Sequence, residues 1–573
     1  MIGKRSPLVL ILVLALACGC LVLCGGCAGL TLMSVRPGEI TFVEPEMRAT
    51  GVVATRVIPG PTPGAFTSDG RAMGGELRLP GAMPPTLDPA MSQDSTSAQY
   101  IVEIYSGLVT AGPDLELVPD IAESYEVSDD GTVYTFHLRE NVVFHDGTPV
   151  TADDFRYSLE RSCHPSTGSP IAATYLGDIV GARAMLSGTA DRLEGVRVLD
   201  DYTLAIEIDA PRPAFLAKLS HPVAFVVDRR NLDSDDILAR FNGTGPFRLG
   251  EVVPGSHITL LANREYYRDP RPALDQVVYL LSGGEGVTMY ENDELDVTGV
   301  GISDLPRITD PEQGLSDQLT IIDQLATFYL GLRCDTAPFD DLEVRQAFAM
   351  ALDRQRIVDM LYQSTVPAAR TIVPPGMPAY DNDSLSAPDS DPDAAREVLA
   401  RSGYDVEGLP TITLHVATGS PQTDRVAEAI AVVLEDNLGV TIEVEQSDWA
   451  TFLEGLDHPH HPYQMYVLGW IADYPDPENF LEVLFGGDSY DNHSGYHNAE
   501  VDRLLDEAAL EMDEEARRQL YLQAETIILA EAPIVPLYHD VEYRLTKPYI
   551  KDLPHPAMVV PVLQYAHIDP NAN

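Results

Sequence analysis

The chain has 573 residues with 88 Asp and Glu against 37 Lys and Arg, so its formal charge is −51. Neutralising a phosphate backbone needs clustered cations, and the only lysines are Lys4, Lys218, Lys547 and Lys551, which excludes a nucleic-acid binder. An apolar content of 45% excludes a mainly disordered acidic chain, and at roughly 100–200 residues per domain the length predicts about three or four lobes.

Lys4 and Arg5 precede an uncharged run over 7–34, and Arg36 is the next charge. That pattern marks residues 1–33 as a signal peptide or membrane anchor. Two forms fit. In a cleaved lipoprotein signal, "CGGC" ending at Cys27 or "ACGC" ending at Cys20 supplies the lipid-bearing cysteine, and Cys27 is taken here as that anchor. In the other form the run is an uncleaved membrane helix. Both predict a body outside the cytoplasmic membrane and tethered to it. Residues 34–75, rich in Pro, Gly, Ser and Thr without hydrophobic period, predict a flexible tether. Cys18, Cys20, Cys24 and Cys27 all precede the body, which keeps Cys163 and Cys334 alone. At most one disulfide is available there, and two separate thiols are the simpler expectation.

From Glu76 the pattern turns regular. "GELRL" reads as a strand and "TSAQYIVEIYSGLV" as a helix. Past a "DDG" turn, Tyr134, Phe136 and Leu138 alternate with polar residues as a half-buried strand does. Thr151 as N-cap with Asp154 at N3 predicts a capped helix over "FRYSLERS". "APRPAFLAKLSHPVAFVV" continues the strand and helix pattern, and "NGTGPFRLGEVVPGSHITLLAN" predicts a Gly-rich crossing before two strands. The second half carries amphipathic helices, "DLEVRQAFAMALDRQRIVDMLY" and "AEVDRLLDEAALEMDEEARRQLYLQAETIILAEA", between strands "TITLHVA", "VTIEVEQ" and "YQMYVLGW". The mixture predicts an α/β protein of more than one lobe.

Motifs for catalysis are missing: the body has no GxSxG, HExxH, GxxxxGK[ST] or strand-borne GxGxxG sequence. Asp389, Asp391 and Asp393 alternate as in a calcium loop, but the glycine and glutamate of such a loop are absent, so Asp391 reads as an N-cap with Pro392 at N1. His458, His460 and His461 in "DHPHHP" could bind a transition metal, yet Pro459 and Pro462 make a solvated loop the better reading. No enzyme, cofactor or metal is expected.

Ordered motifs then identify a family. "TLDPA" at Thr86, "VPDIAESYEVSDDGTVYTFHLRENVVFHDGTPVTADDFRYSLER", "GTGPF" at Gly243, "PFDDLEVRQAFAMALDRQRIV", "GWIADYPDPENFL" and "IVPLYHDVEYRL" resemble the extracytoplasmic solute-binding proteins of ABC importers, family 5, of the oligopeptide- and dipeptide-binding type. The resemblance runs from about residue 76 to 553. It implies a class C periplasmic-binding-protein-like α/β fold, with two lobes that close about a hinge and an extra lobe. The implied boundaries are 76–108, 242–324 and 533–573 for lobe I, 109–241 for the extra lobe II, and 325–532 for lobe III. Gly243 and Gly245 fall at the implied hinge, where positive φ is open to glycine.

In peptide-binding relatives a carboxylate in a Trp-x-Ala-Asp-Tyr motif holds the peptide amino terminus. That motif reads here Trp470, Ile471, Ala472, Asp473, Tyr474. The resemblance therefore assigns Asp473 to the ligand ammonium, with Trp470, Trp449, Tyr474 and Tyr175 as ligand-cleft aromatics. No Lys or Arg lies within ten residues of Asp473 on either side. Val467 stands where relatives for longer peptides carry Arg, and that subgroup's disulfide is absent, with Ile471 at one of its positions. The implied function is a monomeric, membrane-tethered receptor that captures peptides and delivers them to a permease and ATPase complex. Oligosaccharide or nickel-chelate binding on the same fold, a sensory domain and a metal-dependent hydrolase are the alternatives.

Overall fold

The computed structural model describes residues 67–572, except 68, 235–236, 405–408, 419–420, 458–462 and 488. Cys27, the 1–33 segment, most of the 34–75 segment and the His458, His460 and His461 loop lie outside the described residues. Among those described, no helix is long and apolar enough to cross a membrane.

Three sheet-centred lobes make an α/β architecture. The first is a four-stranded sheet in the order Glu76–Pro80, Gln276–Leu280, His257–Ala262, Phe247–Val253. Against it packs the helix Ser95–Ile104, started by Asp94, whose carboxylate accepts from Ser97 N–H. Tyr100, Ile101 and Ile104 line one face of that helix and are fully buried, a burial worth roughly 1.5–3 kcal/mol for each large apolar side chain. Arg71 ties the residues before this sheet to the body, donating to the carbonyls of Gln564, Tyr565 and Arg271 at 2.7–2.9 Å.

The second lobe is an antiparallel sheet in the order Ala122–Val127, Val133–Leu138, Thr203–Glu207, Val196–Asp200. Tyr134, Phe136 and Leu138 face inward as their alternation predicts, and Gly131 takes positive φ in the "DDG" turn. The helix Ala152–Cys163 covers this sheet, and Thr151 and Asp154 form the anticipated capping box.

The third is a six-stranded sheet in the order Val297–Gly299, Ile534–Thr546, Leu319–Leu332, Met465–Ile471, Ile412–Ala417, Ile442–Ser447. Its two long strands pair antiparallel with register breaks between Asp323 and Thr327 and between Phe328 and Tyr329. Both long amphipathic patterns divide. Leu342–Ala351 and Arg354–Tyr362 are separate helices, as are Ala499–Leu510 and Glu514–Glu531. In each case an aspartate, Asp353 or Asp513, turns its side chain onto the next helix's free N–H groups and starts a new cap. Asp391 caps Pro392–Leu399 by accepting from Ala394 N–H. Cys163 and Cys334 are both free thiols.

Neither Gly243 nor Gly245 takes a positive φ. Glycine is required there by close approach: a Cβ would stand 2.0 Å from the Ile104 carbonyl oxygen at Gly243 and 2.4 Å from that of Glu103 at Gly245. Gly245 N–H also donates to the Ile104 carbonyl at 2.8 Å. We expect Gly243→Ala to cost about 1–3 kcal/mol through overpacking, read as a lowered urea midpoint. Gly301→Ala, where a Cβ meets nothing within 4 Å, should change the midpoint far less; equal shifts would refute the packing explanation.

Candidate functional site

The strand Met465–Ile471 ends beside the central strand, with Trp470 opposite Thr327 and Ile471 opposite Ala326. The chain then turns through Asp473 into the helix Glu478–Phe485. Asn479, fully buried in the first turn of that helix, ties the turn together. Its amide oxygen accepts from the Trp470 indole N–H and from Asp473 N–H, each at 3.0 Å. Its amide nitrogen donates to the Asp473 carboxylate at 3.4 Å. From the second lobe, the Tyr175 hydroxyl donates to the same carboxylate oxygen. His221 stacks on Tyr175 with ring centres 4.0 Å apart.

Asp473 therefore has neutral donors from two lobes and, among the described residues, no Lys or Arg partner. Burial pushes its carboxyl up to about 6, and the hydrogen bonds from Tyr175 and Asn479 pull it only partly back. The acids nearby are treated differently. Lys218 reaches from the second lobe to Asp178 at 3.0 Å and across to Glu478 at 2.5 Å, while Arg517 holds Asp476 with two bonds of 2.8 Å. Burial opposes the Lys218 charge, but Glu478 and Asp178 hold its ammonium above the ordinary lysine range.

Asp473, Tyr175, Trp470 and Trp449 line one cavity of about 110 Å³, together with Asp94 from the first lobe and His221 from the second. Through Ser95, His221, Ile471 and Asp473 it adjoins a narrow cavity of about 30 Å³. Through Ser95, Val102 and Ile471 that one adjoins a third of about 470 Å³ beneath the 556–563 segment. The three form a groove where all three lobes meet, the concave and partly apolar setting typical of ligand sites.

Four of the five expected ligand residues thus come together. Tyr474 does not: its ring is wholly buried behind the cavity, edge-on to Tyr175 at 6.0 Å, within the second lobe's apolar cluster. Asp473 and Tyr474 lie in the bend after the strand, where the backbone turns the two neighbours into different surroundings. Trp449 begins the helix Trp449–Asp457 and stacks on Phe452 at 6.0 Å. Val467 belongs to the third lobe's core. Asn479, His221 and Lys218 were not anticipated. Asn479 carried one signal, its place in "GWIADYPDPENFL" at the start of a helix, whereas His221 and Lys218 reach the site only through the fold.

Residues 116–492 match the family described as "Bacterial extracellular solute-binding proteins, family 5 Middle", and the chain belongs to that family. It is 32% identical to the dipeptide-binding protein DppE of Bacillus subtilis, over 82% of this chain and 87% of that one. It is also 32% identical to the probable deoxycholate-binding periplasmic protein YgiS of Escherichia coli, over 82% and 89%. Among solved structures, the Escherichia coli murein tripeptide binding protein MppA superposes with a TM-score of 0.79 at 27% identity, covering 88% of this chain and 99% of that one. The unliganded open form of MppA gives 0.64 at 28% identity, with the same coverage. The arrangement of this chain therefore differs more from that open form than from the first MppA structure, and the Tyr175 and Lys218 contacts join its second and third lobes.

Because the Tyr175 hydroxyl stabilises the ionised form of Asp473, we expect Tyr175→Phe to raise the Asp473 pKa above its value of about 6 in ligand-free protein. Carbon NMR of labelled aspartate across a pH titration reads this directly. A pKa that stays put or falls would remove Tyr175 from that role.

Proposed function

We propose that the protein is the extracytoplasmic substrate-binding component of an ABC importer that captures peptides, with Asp473 receiving the ligand's amino terminus. One observation carries this reading: a carboxylate raised by burial, given neutral donors from two lobes and no cation of its own, faces a groove shared by three lobes. A ligand ammonium supplies the missing charge through a charge-assisted hydrogen bond. An extended peptide fits a groove of joined cavities, using main-chain hydrogen bonds and the half-buried Trp449 and Trp470 faces. An anionic ligand such as a bile acid is opposed by the same carboxylates.

In this reading the protein binds and delivers but catalyses nothing. The 1–33 segment anchors it, through Cys27 if cleaved, and a permease with its ATPase receives the ligand from the monomer. In this reading the crossing at Gly243 and Gly245, whose backbone packs on the Ile104 and Glu103 carbonyls, is the hinge of closure.

Calorimetry with mixed tri- to pentapeptides tests the reading, and heat with cello-oligosaccharides but none with peptides would sink it. Asp473→Asn should weaken peptide binding by about 1.5–3 kcal/mol. A pH dependence follows with a definite sign. The ligand-free carboxyl titrates near 6, and a bound ammonium must lower that value, so binding at acid pH requires proton loss. Affinity should be full above pH 6 and fall by up to about tenfold per unit below it, a slope that Asp473→Asn should abolish.

A further inference from the structure

The third cavity, about 470 Å³, carries charge that the reading above does not use. Glu103, Asp540, Glu542 and Arg544 all line it. Arg544 is already engaged by Glu542, through bonds of 2.7 and 2.5 Å, so that pair is neutral as a unit. Glu103 and Asp540 are left without a Lys or Arg partner among the described residues. Glu103 is 2% exposed; its Oε1 accepts from Val562 and Leu563 N–H at 2.8 and 3.0 Å, but its Oε2 has no hydrogen-bond partner. Burial pushes Glu103 up to about 7, and burial followed by the charge of Glu542 raises Asp540. The remaining wall is largely apolar, from Val102, Leu553, Met558 and Val559.

Position ties this cavity to the first. Ile471 pairs with Ala326 on one side of the central strand, and His539 pairs with Thr327 on the other. Asp540, next to His539, thus stands two strands from Ile471, about 10 Å at roughly 4.8 Å per strand. An extended chain advances about 3.3–3.6 Å per residue, so about three steps along the peptide cover the span from Ile471, two residues before Asp473, to Asp540, and a long side chain on the second or third residue closes the remainder.

We propose that this cavity takes a second cationic group, the ammonium or guanidinium of a lysine or arginine at the second or third residue of the bound peptide. Asp540 receives the charge, and the apolar wall takes the methylene stem, as long cationic side chains prefer. The inference rests on the peptide reading of Asp473.

Calorimetry with the tripeptides Ala-Lys-Ala and Ala-Ala-Lys against their norleucine counterparts, which keep the stem and lose the charge, tests it. The expected result is at least tenfold tighter binding of one or both lysine peptides. Asp540→Asn should erase that preference while leaving the norleucine peptides within about twofold, which also shows that the variant folds. Equal binding of lysine and norleucine peptides to the unaltered protein, with binding lost in Asp473→Asn, overturns this inference and leaves the peptide reading standing. A lysine preference that survives Asp540→Asn also overturns it. Binding of no tripeptide overturns both.

Discussion

Asp473 is held by Tyr175 from one lobe and Asn479 from another, and neither brings a charge. Removing a carboxylate from water costs several kcal/mol unless a cation and further hydrogen bonds replace the solvent. The chain does supply cations at the same junction: Lys218 lies between Asp178 and Glu478, and Arg517 grips Asp476 two-handed, with Asp476 and Glu478 only three and five residues after Asp473. In a protein with 37 basic residues against 88 acids, that placement is selective. With Arg212 also on Asp178 at 3.3 Å, three cations meet these three acids, and Asp473 is kept raised toward neutrality. Its environment thus rewards a cation from outside, and the rest of the site follows from holding that one side chain in place.

The contacts that hold it also belong to closure. Tyr175 and Lys218 come from the second lobe, while Asp473 and Glu478 come from the third, so separating those lobes breaks both interactions and returns their groups to water. Interactions present only when the lobes are together are what a ligand needs in order to shift the balance between open and closed forms. Lys218 adds to closure whether or not a ligand is bound. On the reading proposed above, Asp473 opposes it until its charge is met, which would make closure conditional on the ligand's own charge.

Much of this was legible in the chain. The alternation of Tyr134, Phe136 and Leu138 and the Thr151–Asp154 box are local rules, and both held because no tertiary contact competes with them. Asp473 was legible through its motif and through the lack of any basic neighbour. The helix breaks at Asp353 and Asp513 were not anticipated, since an aspartate in an amphipathic run is equally compatible with a solvated face. At Gly243 and Gly245 the expected positive φ is absent, and glycine is required instead because the Ile104 and Glu103 carbonyls, about 140 residues away in the chain, leave no room for a side chain. Tyr474 sits beside the site in sequence and behind it in space. Tyr175 was reached only through the family resemblance, and His221 depends wholly on lobe packing, which no local pattern encodes.

The bulk charge of −51 and the single carboxylate act over different ranges. Surface acids in physiological salt are screened beyond about 8–10 Å, so their attraction for a cationic solute raises its local concentration and weakens as salt is added. Asp473 is buried at the groove, where a lower effective dielectric strengthens its interactions and salt screens them less. The first effect cannot select one ammonium over another. The second can, because it depends on a geometry fixed by Asn479 and Tyr175. On the proposed reading, acidity spread over the surface would serve encounter and solubility, and discrimination would rest on the few acids that are buried without a cationic partner.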